Sequence, residues 1–177
     1  MRGARTSKLR TVLHPGAPLD ARARSVAVET SPTVGMTVPA GRDLFGAVHE
    51  RLDMLGAPGG SFVLTRGSVD RLRLMTGGAG SDGLPMGFHG PHALAAPLRI
   101  VAGAAGSGID EAGARFTHCH AAFRDRDGRL VGGHLIPGET IAGADGIDLD
   151  LVALVHGRFR RQVDPETRFS IFHPEPA

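Results

Sequence analysis

One stretch of the chain, residues 116–138, constrains the fold more than any other. It reads FTHCHAAFRDRDGRLVGGHLIPG, which is the pattern of a β-hairpin that carries three histidines. In the first arm, residues 116–123, successive side chains point to opposite faces of a strand, so His118 and His120 lie on the same face. The same alternation sends the thiol of Cys119 to the opposite face, where we expect it to pack in the core rather than to bind a metal.

The register of the hairpin decides whether His134 joins the other two histidines. A two-residue loop of Asp127-Gly128 would place Leu135 opposite His120 and turn His134 to the other face, because a one-residue slip reverses every side chain. A three-residue loop, residues 126–128, ends in a glycine that accepts a positive φ. It would place His134 directly opposite His120, with the two β-carbons about 4.5–5.5 Å apart. We adopt the three-residue loop.

The second arm of the hairpin, residues 129–136, is expected to end at Pro137-Gly138. Gly132-Gly133 offers another route to the same facing of the histidines, through a β-bulge. Together with Ala121, these glycines leave room beside the histidines for an ion or for the close approach of another backbone.

Three imidazoles that converge on one face outline a metal site. Zinc binds histidine nitrogen at about 2.0–2.1 Å, and three protein ligands with a water is its open, catalytic type of coordination. The sequence therefore predicts that His118, His120 and His134 bind a divalent metal, and zinc is the expected ion. The alternative is that the HxH pair consists of ordinary, partly exposed polar residues on a strand.

The same stretch resembles the signature of the plants-and-prokaryotes-conserved (PPC) domain, in which an HxH strand is followed by DG and then by GGH and G. Residues 40–44, AGRDL, resemble the glycine, acidic and apolar residues with which that family enters its helix. Residues 97–101, PLRIV, resemble the apolar strand before its histidines. The resemblance extends from about Val26 to the C-terminus, and its specific part is the hairpin.

This resemblance implies a compact α+β domain that assembles as a homotrimer. Plant members carry AT-hooks and bind DNA in the nucleus, and bacterial members are described as candidate DNA-binding proteins. The Arg-Gly-Arg-Pro core of an AT-hook is missing here. The related fold of acetolactate decarboxylase also holds zinc with an HxH strand and a third histidine, which implies an enzymatic alternative.

The rest of the chain favours a single α+β domain over residues 25–177, a mostly antiparallel sheet packed with one main helix. The 26 glycines and 12 prolines predict many turns and few long helices. Residues 42–55 form the convincing helix, with Asp43 near its start, Gly56 as its stop and a stripe of apolar residues: Leu44, Phe45, Val48, Leu52 and Leu55. His49 lies beside that stripe as a boundary residue. The predicted strands are residues 25–29, 61–65, 69–75 and 146–155.

Residues 77–97 are so rich in glycine and proline that we expect an irregular loop, which contains His89 and His92. Near the end of the chain lie four arginines, Arg158, Arg160, Arg161 and Arg168. They would form either a patch for an anionic ligand or a surface of salt bridges with Asp164 and Glu166.

Residues 1–24 form a basic N-terminal arm. They carry a single acid, Asp20, against six basic residues: Arg2, Arg5, Lys8, Arg10, Arg22 and Arg24. The net charge of +2 is thus concentrated here, so the arm is either a phosphate-binding segment or a solvated tail. A single cysteine fits a reducing compartment, and no apolar run approaches the ~18–20 residues of a membrane span. We expect a cytoplasmic protein.

Two main functional hypotheses follow. In the first, the chain is a PPC-like regulator with a three-histidine metal site, and any DNA binding is weak, non-specific and carried by the arm. In the second, it is a metal-dependent enzyme acting on a small carboxylate-bearing molecule, a lyase or hydrolase similar to acetolactate decarboxylase. Glu139 would then be the nearest acid or base and Arg115 a clamp for the carboxylate. A third hypothesis is a structural metal, or none, in a trimeric sensor-like protein.

Overall fold

A computed structural model describes residues 13–20, 24–80 and 86–176 of the chain. Within these residues the chain forms eight strands and one helix. In chain order they are β1 (Val34–Val38), α1 (Leu44–Met54), β2 (Gly60–Ala79), β3 (Met86–Leu94), β4 (Leu98–Ile109), β5 (Arg115–Arg124), β6 (Leu130–Ala153), β7 (Arg158–Val163) and β8 (Ser170–Glu175).

The strands form one curled sheet in the order β3-β2-β6-β5-β4-β7-β8, and β1 pairs with β6. All pairings are antiparallel except the short parallel contact of β4 with β7. Because β2 pairs with β4 as well as with β6, the strands β2, β6, β5 and β4 close into a ring. The predicted α+β class, a mostly antiparallel sheet with one helix, is confirmed.

Helix α1 covers the core, as its apolar stripe predicts. Leu44, Phe45, Val48 and Leu52 are all buried. The side chain of Asp43 caps the N-terminus by accepting a hydrogen bond from the backbone N–H of Gly46 at 2.8 Å. Gly56 ends the helix with a φ of +63°, a conformation that glycine adopts without strain.

The predicted register of the β5–β6 hairpin is also confirmed. His120 pairs with His134, Ala121 with Gly133, and Arg124 with Leu130, which leaves the turn around residues 126–128. The backbone N–H of Gly128 donates to the carbonyl of Asp125 at 3.1 Å, and the φ of Gly128 is +81°. Glycine thus serves the turn as the three-residue loop requires.

The predicted end of the second arm at Pro137-Gly138 is wrong, because β6 continues to Ala153. Between the pairs Leu74 with Leu135 and Leu72 with Thr140, the register of β6 against β2 shifts, so residues 136–139 form a bulge. Proline has no N–H to donate to a sheet, and a bulge is one of the few places in a strand where that costs little. The proline therefore bends the strand instead of ending it.

The other predicted strands have mixed outcomes. Residues 61–65 and 69–75 belong to one strand, β2, whose register shifts on both sides of Gly67. Residues 146–155 fall almost entirely within β6, as expected. Residues 25–29 do not form a strand: Val28 is 39% exposed, and the first strand is β1. Val38, the last residue of β1, is fully buried, so β1 contributes to the core whereas Val28 does not.

The expectation of an irregular loop over residues 77–97 is wrong for most of its length. Residues 77–79 belong to β2 and residues 86–94 form β3, while residues 81–85 lie outside the described residues. In the part of the chain that the structure describes, β3 pairs with β2 alone and is an edge strand. Such a strand tolerates Gly90 and Pro91 because one side needs no hydrogen-bonding partner. Glycine and proline content thus misidentified an edge strand as a loop.

Glycines beside the histidines serve close backbone approach. A β-carbon added to Gly133 would collide with the carbonyl oxygen of Met75 and lie 3.1 Å from Leu74. One added to Gly132 would lie 2.5 Å from the carbonyl oxygen of Ala121. From the sequence, this space was expected to hold an ion or to allow the close approach of another backbone. The structure shows the second, because strands β2 and β5 pack directly against β6.

Replacing Gly133 by alanine should therefore destabilise the metal-free protein by about 1–3 kcal/mol, the usual cost of overpacking. Gly35→Ala, in β1, is the matched control, because the atom nearest to an added β-carbon there is a carboxylate oxygen of Asp150, 3.7 Å away. Denaturant unfolding of both variants tests the prediction. Equal midpoints for the two variants would contradict the close approach at Gly133.

Candidate metal centre

The hairpin brings His118, His120 and His134 together on one face of the sheet. The ring centroids of His118 and His120 lie 4.8 Å apart, and that of His134 lies 4.6 Å from His118 and 5.4 Å from His120. One nitrogen from each ring can be chosen so that all three lie within 4.8 Å of one another. Zinc binds histidine nitrogen at about 2.0–2.1 Å, so the rings would have to move closer together for all three to bind one ion.

The surroundings of His118 and His134 favour the neutral ring, which is the form that binds metals. Burial lowers the pKa of His134 to about 4, and the neighbouring His118 and His120 and the charge of Arg161 act in the same direction. The pKa of His118 is lowered by burial and by its neighbours His120 and Arg161. A ring with a lowered pKa stays deprotonated as the pH falls below 6.5, so its nitrogen lone pair remains available.

The donor set suits a borderline cation. Imidazole nitrogen is a good ligand for zinc, copper, iron and nickel, whereas calcium and magnesium require oxygen ligands. The Nδ1 atom of His134 is buried and has no hydrogen-bond partner among the described residues. A bound cation is one of the few neighbours that could compensate such an atom in this setting. The residues therefore fit a three-histidine metal site.

Cys119 does not belong to this group. Its side chain is fully buried on the opposite face of β5, as strand alternation predicts. Burial raises the pKa of its thiol to about 12, so the thiolate that a metal requires is strongly disfavoured. The predicted packing role is confirmed.

Neither of the two residues suggested as enzymatic partners lines the cavity beside the histidines. Arg115 donates to Asp53 at 2.8 Å and to the carbonyl oxygen of Ala57 at 2.8 Å, so it fixes the end of α1. Glu139 pairs with Arg73 at 3.3 Å. These contacts give both residues structural roles.

The remaining histidines of the sequence analysis also lie apart from the cluster. His49 lies 2.7 Å from the hydroxyl of Thr117, and burial lowers its pKa. His89 and His92 lie on β3, with their Nε2 atoms 2.9 Å from the carbonyl oxygen of Ala79 and 3.4 Å from the hydroxyl of Thr76. Their HxxH spacing thus belongs to an edge strand.

Two of the C-terminal arginines form salt bridges, but not with the expected partners Asp164 and Glu166. Arg158 and Arg160 bind the carboxylate of Glu175 at 2.8 and 3.2 Å. Arg161 has its guanidinium 4.6 Å from the centre of the Phe116 ring and lines a cavity beside His118 and His134. Strand alternation explains the split, because Arg161 points to the other face of β7. That alternation was the one signal in the sequence that separates this arginine from its neighbours.

The N-terminal arm can be followed in part. Residues 13–20 lie against the turn between β7 and β8, where the backbone N–H of Gly16 donates to the carbonyl of Glu166 and that of Leu19 to its carboxylate. Residues 1–12 and 21–23, with most of the basic side chains, lie outside the described residues. Among the helices that the structure describes, none is long and apolar enough to cross a membrane.

Comparison with known proteins gives a consistent picture. The family model of the Plants and Prokaryotes Conserved domain matches residues 27–145. A solved metal-containing protein from Archaeoglobus fulgidus is 18% identical, with a TM-score of 0.68 over 85% of this chain and 99% of that one. A plant- and prokaryote-conserved protein from Pyrococcus horikoshii is 15% identical, with a TM-score of 0.66 over 85% and 97%.

A third solved structure is named a "putative DNA-binding protein" and comes from Ralstonia eutropha. It is 19% identical to this chain, with a TM-score of 0.63 over 78% of this chain and 89% of its own. At these identities the likeness concerns the fold. No curated protein matches the chain.

Proposed function

This chain belongs to the Plants and Prokaryotes Conserved domain family, and we propose that it is a metal-binding regulatory protein whose zinc ion is held by His118, His120 and His134. The observation that carries the proposal is the pairing of His120 with His134 across the hairpin, which places the third ring beside the first two. One similar structure is described as metal-containing. Three imidazoles on one face suit zinc with a position left for water or a ligand.

The regulatory part of the proposal concerns DNA. One similar protein is named a "putative DNA-binding protein". In this chain the six basic residues of positions 1–24 would contact phosphates, without reading bases. Helix α1, the one helix among the described residues, has its apolar face in the core and is short, so it does not resemble a recognition helix. We further propose a homotrimer, in which three arms act together and increase avidity.

A second candidate function is a metal-dependent enzyme that acts on a small carboxylate-bearing molecule. The observation that favours it is the cavity of about 360 Å³ beside the histidines, which includes His118 and His134 in its lining. A metal in an open site would supply Lewis acidity or an activated water. Within that candidate, Arg161 replaces Arg115 as the residue placed to meet a carboxylate.

The metal proposal predicts about one zinc ion per chain in protein purified without a nickel column. His120→Ala should remove most of it, because two imidazoles hold zinc much more weakly than three. His156→Ala is the matched control, since His156 is exposed and interacts with Glu29 at 3.5 Å. Elemental analysis and zinc titration measure the effect.

The affinity for zinc should decrease as the pH falls, because protons compete for the same nitrogens. The decrease should begin below the ordinary histidine value of 6.5, since the pKa values of His118 and His134 are lowered. Zinc titrations at about pH 7 and about pH 5 test the direction. Zinc content near zero in the wild type, or equal zinc content in the His120→Ala and His156→Ala variants, would contradict the three-histidine site.

The DNA proposal predicts weak, non-specific binding that depends strongly on salt. Each lost phosphate contact should reduce the slope of log affinity against log salt by about 0.9. The test variant replaces four basic residues of the arm by glutamine and keeps residues 13–20 in place: Arg2, Arg5, Lys8 and Arg10. Arg124→Gln with Arg129→Gln is the control on the exposed hairpin turn.

Light scattering of the full chain comes first, since it gives the number of arms per particle, and we expect a trimer. A monomer at micromolar concentration would end the trimer proposal. Sequence-selective binding that persists in the arm variant at physiological salt would show that the domain itself reads DNA. Absence of binding even at low salt would end the regulatory proposal and favour the enzyme.

A further inference from the structure

The cavity beside the histidines has the dimensions of a small-molecule site. Its volume of about 360 Å³ lies within the usual range for ligand pockets, about 300–1,000 Å³. Residues of β2, β3, β5, β6, β7 and β8 contribute to it, together with His14 and the turn before β8. Its walls are mostly apolar, and the main apolar side chains are Met86, Phe88, Phe169 and Ile171.

Part of this apolar wall is open to water: Met86, Phe88 and Ile171 are 47%, 52% and 42% exposed. What distinguishes them from other exposed apolar side chains is that they line one cavity, and contiguous apolar surface often marks a ligand or partner site. The ring of Phe88 lies 5.5 Å from that of His134 and meets Phe169 edge-on at 6.4 Å. The apolar wall is therefore continuous with the histidine cluster.

Arg161 gives the cavity a fixed positive charge. Its guanidinium lies over the ring of Phe116 at 4.6 Å, which holds the planar group in place and leaves N–H donors free at its edge. Within the described part of the chain, no carboxylate pairs with Arg161, whereas Arg158 and Arg160 of the same strand both pair with Glu175. A free, oriented guanidinium suits two oxygens of an anion.

The charge of the cavity favours a single negative group. Among the described residues that line it, Arg161 is the one arginine or lysine, and none is an aspartate or glutamate. A zinc ion on the histidines would add positive charge, but in the zinc-free cavity a monoanion meets one matching charge and no carboxylate among the described lining residues. A carboxylate fits this balance better than a doubly charged phosphate, and the apolar walls require that the rest of the molecule be apolar.

We propose that this cavity binds a small amphipathic carboxylate, with its carboxylate on Arg161 and its apolar body against Phe88 and Phe169. This inference rests on the proposed function in one respect: a metal held by His118 and His134 would lie close to the bound carboxylate compound. Arg161 and the apolar walls act without the metal. The two proposals can therefore fail separately.

The test uses 3-phenylpropionate, titrated calorimetrically into the full chain with zinc and without it. Saturable binding is expected in both states. The neutral amide of the same acid and acetate should each bind about tenfold or more weakly, because one lacks the charge for Arg161 and the other the apolar body. This comparison of ligands needs no variant, so it holds even where a variant folds poorly.

The variants assign the contact. Arg161→Gln should weaken binding of 3-phenylpropionate by about tenfold or more while zinc content stays at the wild-type level. Arg160→Gln removes the same charge from the same strand and should leave binding unchanged, because Arg160 pairs with Glu175 on the other face. Phe88→Ala should also weaken binding, since it removes part of the apolar wall.

The outcomes separate the two proposals. Binding that depends on Arg161 in the zinc-free chain supports this inference even if the three histidines hold no metal. Failure of 3-phenylpropionate to bind at millimolar concentration, with a full complement of zinc, overturns this inference and leaves the metal proposal intact. Equal binding by the Arg161→Gln and Arg160→Gln variants, or equal binding of the acid and its amide, also overturns it.

Discussion

The cross-strand pair of His120 and His134 is the contact on which the candidate site depends. Strand alternation alone places His118 and His120 on one face, but it does not decide where His134 points. The turn decides it: three residues at the tip put the two histidines opposite each other, and two would separate them. One residue of loop length therefore separates a three-histidine cluster from a pair.

The register is in turn held by packing on both sides of β6. Gly132 and Gly133 let the backbones of β5 and β2 approach closely, and the ring of strands formed by β2, β4, β5 and β6 fixes the hairpin on a rigid support. On the opposite face of β5, Cys119 and Phe123 are fully buried. Because the inward face of β5 supplies the buried apolar contacts, its outward face can carry the polar side chains His118 and His120.

The sequence predicted those features that depend on local chemistry. The hairpin turn, the helix with its Asp43 cap and the buried Cys119 follow from turn residues, capping and alternation. Features that depend on distant partners were missed. The strand β3 has edge-strand composition that resembles a loop, and Pro137 lies in a bulge that only the pairing with β2 reveals.

The roles of charged residues also depend on distant partners that the sequence does not reveal. From the sequence, Arg115 is a candidate carboxylate clamp and Arg161 a member of a candidate patch for an anionic ligand. In the fold, Asp53 binds Arg115, whereas Arg161 lines the cavity with His118 and His134. Strand alternation separates Arg161 from Arg158 and Arg160, but which arginine a carboxylate neutralises depends on tertiary contacts.

The X-ray absorption spectrum of the zinc-loaded protein at the zinc edge tests the three-histidine site most directly. Binding by His118, His120 and His134 predicts three imidazole rings with nitrogen at about 2.0–2.1 Å and a further light atom in the open position. His134→Ala should reduce the number of rings to two. A sulfur ligand at about 2.3 Å, or a wild-type spectrum with only two imidazoles, would contradict the convergence of His118, His120 and His134 on one ion.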